Sequence, residues 1–182
     1  MRIFKKIGLT LLAGVAAVGI HMGVNQLLGN EHEVIAGELY RSGQPGSDEI
    51  DSLVSRHGIK TIINLRNEKR GDWYAEEKAA AERNGVTLVD YPISSADVLS
   101  IADSEELAEI MRTAQKPILI HCEHGANRTG LASAIYVGAV AQRSEIFSEL
   151  QLSPYYGHVP IPGIGRYAMW QSWDKFEETI GF

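Results

Sequence analysis

The stretch ILIHCEHGANRTGLA, residues 118–132, joins residue types that can perform nucleophilic chemistry on an anion. An apolar run stops at His121-Cys122, five mostly small or polar residues follow, and Arg128, Thr129 and Gly130 lead into a helix-like run. The loop Glu123-His124-Gly125-Ala126-Asn127 can aim its backbone N–H groups at one point, and the following helix adds the positive end of its dipole. Arg128 can close this cradle with two parallel hydrogen bonds to a phosphate. The same field stabilises a thiolate, so Cys122 is expected to titrate well below a free thiol and to act as a nucleophile near neutral pH. Cys122 is the only cysteine in 182 residues, so its thiol is free, metal-bound or paired outside the chain.

Alternating elements position this loop. VIAGELYRS, from residue 34, reads as a short strand entering a turn at Gly43-Gln44-Pro45-Gly46. Ser47 can cap a helix with Ile50, Leu53, Val54 and His57 on its apolar face, closed by Gly58. KTIINLR is a buried strand. Asp72 can cap a helix through Asn84 that Gly85 closes, and VTLVDYPI is the next strand. Asp103 with Glu106 has the pattern of a capping box for a helix through Gln115. PILIHC is the fourth strand, and TGLASAIYVGAVAQ is a helix apolar nearly all round. A short helix near SEIFSEL and a last one over GRYAMWQSWDKFEE complete the chain. Strand and helix in alternation predict an α/β fold, with a mostly parallel sheet of four to five strands and helices on both faces. The loop at Cys122 then lies where open α/β sheets place their binding sites.

Composition sets limits. With 45% hydrophobic and 22% charged residues this is ordinary globular composition. Residues 1–30 stand apart as a signal peptide or membrane anchor preceding a domain over 31–182. Arg2, Lys5 and Lys6 precede IGLTLLAGVAAVGIHMGVNQLLG, 23 residues without a charge. Val15 and Ala17, or Ala17 and Gly19, suit a cleavage site, whereas the continued run through Leu28 favours an uncleaved helix. Either way the basic end stays in the cytoplasm and the domain is expected in a bacterial periplasm. That segment holds three of the 17 basic residues and none of the 23 acidic ones, which leaves −9 on residues 31–182. So acidic a domain is a poor partner for nucleic acid.

HCEHGANRTG matches the His-Cys-x5-Arg-Thr/Ser signature and resembles the cysteine-dependent protein tyrosine and dual-specificity phosphatases. LYRSGQP, GIKTIINLR and VDYPI, in that order, are similar to the atypical bacterial and plant group of that family, so the resemblance runs from about Val34 to at least Val140. It implies a protein-tyrosine-phosphatase-like fold and a phosphocysteine mechanism. Cys122 would attack phosphorus, Arg128 and the amides of residues 123 to 128 would hold the phosphoryl oxygens, and Thr129 would hydrogen-bond the departing sulfur. His121 would orient the loop. The family's general acid is an aspartate on a loop after the preceding strand; loop position favours Asp97, with Asp90 inside the strand and Asp103 at a helix cap as the other candidates. No cofactor is implied, and the substrate would be a phosphoprotein (phosphotyrosine, with phosphoserine or phosphothreonine) or a small phosphate ester.

Competing readings exist for the same residues. His121, Cys122 and His124 could suggest a metal cluster, but neighbours on a strand point to opposite faces and no second cysteine completes a set, so no metal is expected. Arg66 either reaches the pocket or forms a structural pair. His158 and Arg166 flank VPIPGIG, His158 being read as a surface residue, and Tyr155, Tyr156, Trp170 and Trp173 as packing residues. Members of the family that cleave inositol pyrophosphates are lysine-rich in this loop, where Glu123, Ala126 and Asn127 stand here. An acidic loop favours a single phosphate over a highly charged inositol. A rhodanese-like sulfurtransferase and a non-catalytic phosphoprotein-binding module are the alternatives from other classes. The RTG after the loop argues against the first and the intact Cys122, Arg128 and Thr129 against the second.

Overall fold

Three short runs, LYRS, TIIN and ILIH, each fully buried, build the centre of the molecule. A computed structural model describes residues 2–66, 71–163 and 166–182. After α1 (Arg2–Leu27) come β1 (His32–Ile35), β2 (Leu39–Ser42), α2 (Ser47–His57), β3 (Thr61–Asn64), α3 (Asp72–Asn84) and β4 (Thr87–Asp90). Then follow α4 (Ile101–Thr113), β5 (Ile118–His121), α5 (Asn127–Ile135), α6 (Glu145–Glu149) and α7 (Ala168–Glu177). The five strands form one sheet in the order β1-β2-β5-β3-β4, parallel except for β1.

The two-residue period of the strands sorts side chains to the two faces. Tyr40, Ile62 and Leu119 pack with Ile50 and Leu53 of α2 and Ala80 and Ala81 of α3. Leu39, Ile63, Ile118 and Ile120 face the other way, against Leu107 and Met111 of α4, Leu131 and Ile135 of α5, and Met169, Trp173 and Phe176 of α7. Each such aliphatic side chain contributes about 1.5–3 kcal/mol by leaving water. The α/β reading therefore holds, with helices on both faces.

Boundaries differ in instructive places. The run from residue 34 is not one strand: Ala36–Glu38 turn, and β1 folds back antiparallel on β2. α2 is capped by Gly46 instead of Ser47, because the Glu49 carboxylate accepts the Gly46 N–H at 2.7 Å. Gly71, not Asp72, occupies the cap of α3. Ser100, not Asp103, caps α4: its Oγ accepts the Asp103 N–H at 3.1 Å and donates to the Asp103 carboxylate at 2.6 Å. Glu106 instead accepts the Tyr91 hydroxyl at 3.2 Å. Gly58 and Gly85 close their helices in the left-handed conformation, as expected. The long apolar helix passes into a π-helical turn over Tyr136–Val140, where Gly138 lies against Trp173.

The apolar part of α1, Lys6–Leu27, is long enough to cross a bilayer and none of it is buried against the domain core. Its last turns nevertheless touch the domain: Asn25 donates to the Tyr155 carbonyl at 2.7 Å. Contacts to the domain thus begin before residue 31.

Candidate active site

Register brings three strand ends together. Ser42 and Asn64 both pair with His121, so the carboxyl ends of β2, β5 and β3 are level and Gly43, Cys122 and Leu65 follow side by side. Cys122 is 2% exposed. The five residues after it carry the chain into α5, whose first residue is Asn127.

The loop is held by its carbonyls. The Gln44 N–H donates to the Glu123 oxygen at 3.2 Å, and the Arg41 guanidinium donates to the Gly125 oxygen at 2.9 Å. The only cis peptide among the described residues is Lys116–Pro117, so these loop peptides are trans. A trans peptide points its C=O and N–H in opposite directions. Carbonyls bound to Gln44 and Arg41 therefore turn the His124 and Ala126 N–H groups the opposite way. Gly125 has φ +68, and a Cβ there would lie 2.6 Å from Gly43 N and Ser42 C, so no side chain fits. Gly130 plays a steric part as well: a Cβ would meet the Gln151 oxygen at 2.9 Å, which lets α5 approach the Leu150–Leu152 turn.

Arg128 is 13% exposed, donates to the Leu65 oxygen at the end of β3 at 3.3 Å, and lies 3.9 Å from the half-exposed Glu123 carboxylate. Its head is thus held at the loop's rim. Thr129 is fully buried, and its hydroxyl has no hydrogen-bond partner among the described residues. Asn127 accepts or shares a hydrogen bond with His158 Nδ1 at 2.8 Å. His124 and Glu123 are exposed, and Ala126 is buried. His121 is fully buried, with Nε2 2.6 Å from Glu77 Oε1. It supports the loop from below and does not face outward.

The aspartates separate by environment. Asp97 is exposed on the loop after β4, where its carboxylate accepts the Ser94 hydroxyl at 2.7 Å. Asp90 is engaged by Asn64 Nδ2 at 3.1 Å and by the Tyr74 hydroxyl at 2.5 Å. The hydrogen bond to Asp90, and then burial, push the Tyr74 phenol up to about 12. Asp103 belongs to the α4 cap.

Several residues sequence reasoning passed over turn out to build the site. Arg41 read as part of a strand, yet it is fully buried, spans Gly125 O and Gln151 O, and lies 3.8 Å over the Tyr156 ring. Burial pulls its guanidinium down to about 10, partly offset by Tyr156 and Cys122. A buried cation this near the loop favours an anion there. An arginine inside a run read as a strand was the available signal. Glu77, inside the helix from Asp72 to Asn84, is buried as well. His158 corrects the surface reading: it is fully buried, and burial followed by Arg41 pushes it down to about 4. Arg66 stacks over Trp73 at 3.8 Å and donates to Gln44 Oε1 at 3.1 Å, a structural role. Tyr156 packs beneath Arg41 and Trp173 is core, whereas Arg166 is exposed.

Comparison with known proteins agrees with this geometry. Residues 9–157 match the family model described as DSP-PTPase phosphatase fused to NAD+ Kinase. The dual specificity protein phosphatase TpbA of Pseudomonas aeruginosa is 31% identical over 103 residues, 54% of this chain and 42% of that protein. The inositol diphosphatase DSP2 of Oryza sativa is 33% identical over 98 residues, 50% of this chain and 46% of that protein. The matched region thus spans less than half the length of these relatives. Among solved structures, P. aeruginosa TpbA in complex with pTyr superposes with a TM-score of 0.64 at 19% identity, covering 84% of this chain and 90% of that one. PTPMT1 in complex with PI(5)P gives 0.62 at 14%, covering 82% and 96%. With a family match over most of its length and the fold of these phosphatases, the chain belongs to the DSP-PTPase phosphatase family.

Proposed function

We propose that this protein is a cysteine-dependent phosphatase acting on phosphoproteins or small phosphate monoesters. The observation that carries the reading is the loop from Cys122 to Arg128, with a buried sulfur beside inward amides, the start of α5 and the charge of Arg41 beneath. The Cys122 thiolate attacks phosphorus in line; the P–O bond to the leaving group breaks as the S–P bond forms. Asp97, exposed on its loop, gives the leaving oxygen a proton. Arg128 and the loop amides hold the three remaining phosphoryl oxygens, where charge concentrates in the transition state. Water then cleaves the S–P bond, Asp97 takes its proton, and the unpartnered Thr129 hydroxyl is available to the departing sulfur.

The similarity to TpbA favours phosphotyrosine and related phosphoprotein substrates. A second reading, an inositol diphosphatase, has the similarity to the rice and yeast enzymes in its favour. Against it stands Glu123, half-exposed at the rim and 3.9 Å from Arg128, where it repels a polyanion. The ratio of kcat/KM for phosphopeptides over inositol pyrophosphates decides; a large preference for the latter overturns the first reading.

Tethering to or export through a bacterial inner membrane is part of the proposal. The apolar Lys6–Leu27 stretch, uncharged after Lys6 and preceded by Arg2 and Lys5, supports it. Protease accessibility of the domain in spheroplasts, with the mass of the N-terminus, tests it. For the chemistry, aryl phosphate hydrolysis without added metal is measured from pH 4 to 9 for wild type, Cys122→Ser and Asp97→Asn. Loss of turnover in the first variant and of the basic limb in the second is expected. An inactive wild type that still binds phosphopeptide would favour the binding-module alternative.

A further inference from the structure

The third carbonyl of the loop is held from an unexpected direction. The His124 oxygen accepts two side-chain amides, Gln26 Nε2 at 3.0 Å and Asn30 Nδ2 at 3.0 Å, from the end of α1 and the turn after it. Asn30 is buried and has φ +50, a conformation L-residues avoid and asparagine tolerates best. Both of its polar side-chain atoms are engaged. Nδ2 also donates to the Tyr156 oxygen at 2.9 Å, and Oδ1 pairs with His32 Nε2 at 3.1 Å. The preceding Gly29 carbonyl accepts the Gly43 N–H at 2.7 Å, and Gly43 is the residue against which Gly125 is pressed. A residue kept in a costly conformation and bonded at every atom is placed there by its contacts.

We propose that Gln26 and Asn30 are positioning residues of the phosphate loop, fixing the His124–Gly125 peptide through its carbonyl so that the Gly125 N–H faces the bound phosphate. The inference rests on the phosphatase reading. The physical step is the one that applies to the neighbouring peptides: with the carbonyl bound outside, the trans amide must point inward. Gln44, the Gln26–Asn30 pair and Arg41 then orient three successive peptides, so the N–H groups of His124, Gly125 and Ala126 converge. The middle one depends wholly on α1 and its turn. Two donors on one oxygen also polarise that peptide and strengthen its N–H as a donor. Both cleavage positions suggested by Val15, Ala17 and Gly19 precede Gln26, so processing there leaves the clamp on the domain.

The test uses the full chain in detergent micelles, with two readouts besides thermal stability: kcat/KM for an aryl phosphate, and Ki for orthovanadate, which needs every loop amide. Gln26→Met removes a donor from an exposed position, where folding is least disturbed. Asn30→Asp keeps the shape and the left-handed preference but replaces the donor by an acceptor. Asn25→Ala removes a bond from α1 to the Tyr155 carbonyl without touching the loop. We expect vanadate affinity and kcat/KM to fall about tenfold in Gln26→Met and further in Asn30→Asp, with both near wild type in Asn25→Ala. Equal losses in Gln26→Met and Asn25→Ala would reduce the contact to helix docking and overturn the proposal. So would wild-type vanadate affinity in a folded Asn30→Asp. A wild type that neither hydrolyses aryl phosphate nor binds vanadate would sink the phosphatase reading itself, an outcome separate from an active wild type indifferent to these changes.

Discussion

Glu77 on α3 and His121 at the end of β5 are 44 positions apart in sequence, yet their side chains meet at 2.6 Å with no solvent access to either. Glu77 also accepts Gln44 Nε2 at 3.3 Å, and the Gln44 backbone N–H holds the Glu123 carbonyl. The pair thus joins the strand below the loop to the turn beside it. Removing one partner leaves the other buried and unbonded, which costs more than the pair contributes. Glu77→Ala is expected to lower stability by about 3 kcal/mol, and Glu77→Gln, which keeps a hydrogen bond to the ring, by clearly less. Urea unfolding of the three proteins measures it. Equal midpoints for Ala and wild type would remove the support role assigned to His121.

Gly125→Ala is expected to abolish phosphate binding. Its Cβ would meet Ser42 and Gly43 backbone at 2.6–2.7 Å, and backbone cannot move aside as a flexible side chain can. Turnover should fall by at least about a hundredfold. Gly130→Ala, with Cβ 2.9 Å from the Gln151 oxygen, should instead cost about 1–3 kcal/mol of stability. Phosphate titration and thermal melts of the two variants separate the effects.

The sequence displayed Cys122, Arg128 and the strand-to-helix loop between them because those depend on local pattern: an apolar run, a glycine at the right offset, an arginine at the start of a helix. It hid Arg41, Glu77 and His158. Their roles arise only when distant segments converge, and the pattern around each suits an ordinary strand, helix or loop. Asp90 could be set aside early because strand residues turn their side chains into structure, and Tyr74 and Asn64 engage it as that predicts. The cap of α4 was misplaced by one turn because Asp103 and Glu106 have the spacing of a capping box, while Ser100 and Asp103 satisfy the same rule and win by geometry. The split of the first strand turned on Gly37, whose left-handed φ of +71 is invisible in an alternating apolar pattern.

Two groups give stability opposite slopes in the mildly acidic range. His158, at about 4 in the folded protein against 6.5 unfolded, binds its proton more readily when unfolded, so stability declines as pH falls from about 6.5 towards 4. The full difference is about 3 kcal/mol. Glu177 is pushed up to about 7 by burial and then by Glu149, Glu145 and Asp174, so the folded state holds its proton and stability declines as pH rises from about 4.5 to 7. Glu177→Gln is expected to be more stable than wild type at pH 8 and no better at pH 4.5. His158→Asn should lose less stability than wild type between pH 7 and 4.5. Denaturant titrations at these pH values check both signs, and a Glu177→Gln protein no more stable at pH 8 would contradict the carboxylate crowding.

Asp97 is exposed, accepts the Ser94 hydroxyl, and is carried on the loop after β4, as a proton donor to a leaving oxygen must be. Its importance should scale with how poorly the alcohol leaves. An aryl oxide with strong electron-withdrawing groups departs without a proton, whereas tyrosine or an alkyl alcohol does not. Asp97→Asn is therefore expected to retain most activity on an activated aryl phosphate and to lose about a hundred- to a thousandfold on phosphotyrosine peptides. Ser94→Ala, which frees the carboxylate from its local bond, should leave that dependence in place. The rates of wild type and Asp97→Asn are compared across aryl phosphates of graded leaving-group acidity. The variant should show a steep dependence where wild type is flat. Parallel lines would move the proton donor elsewhere, and the cap of α4 and the Asn64–Tyr74 pair leave neither Asp103 nor Asp90 as free to serve as Asp97.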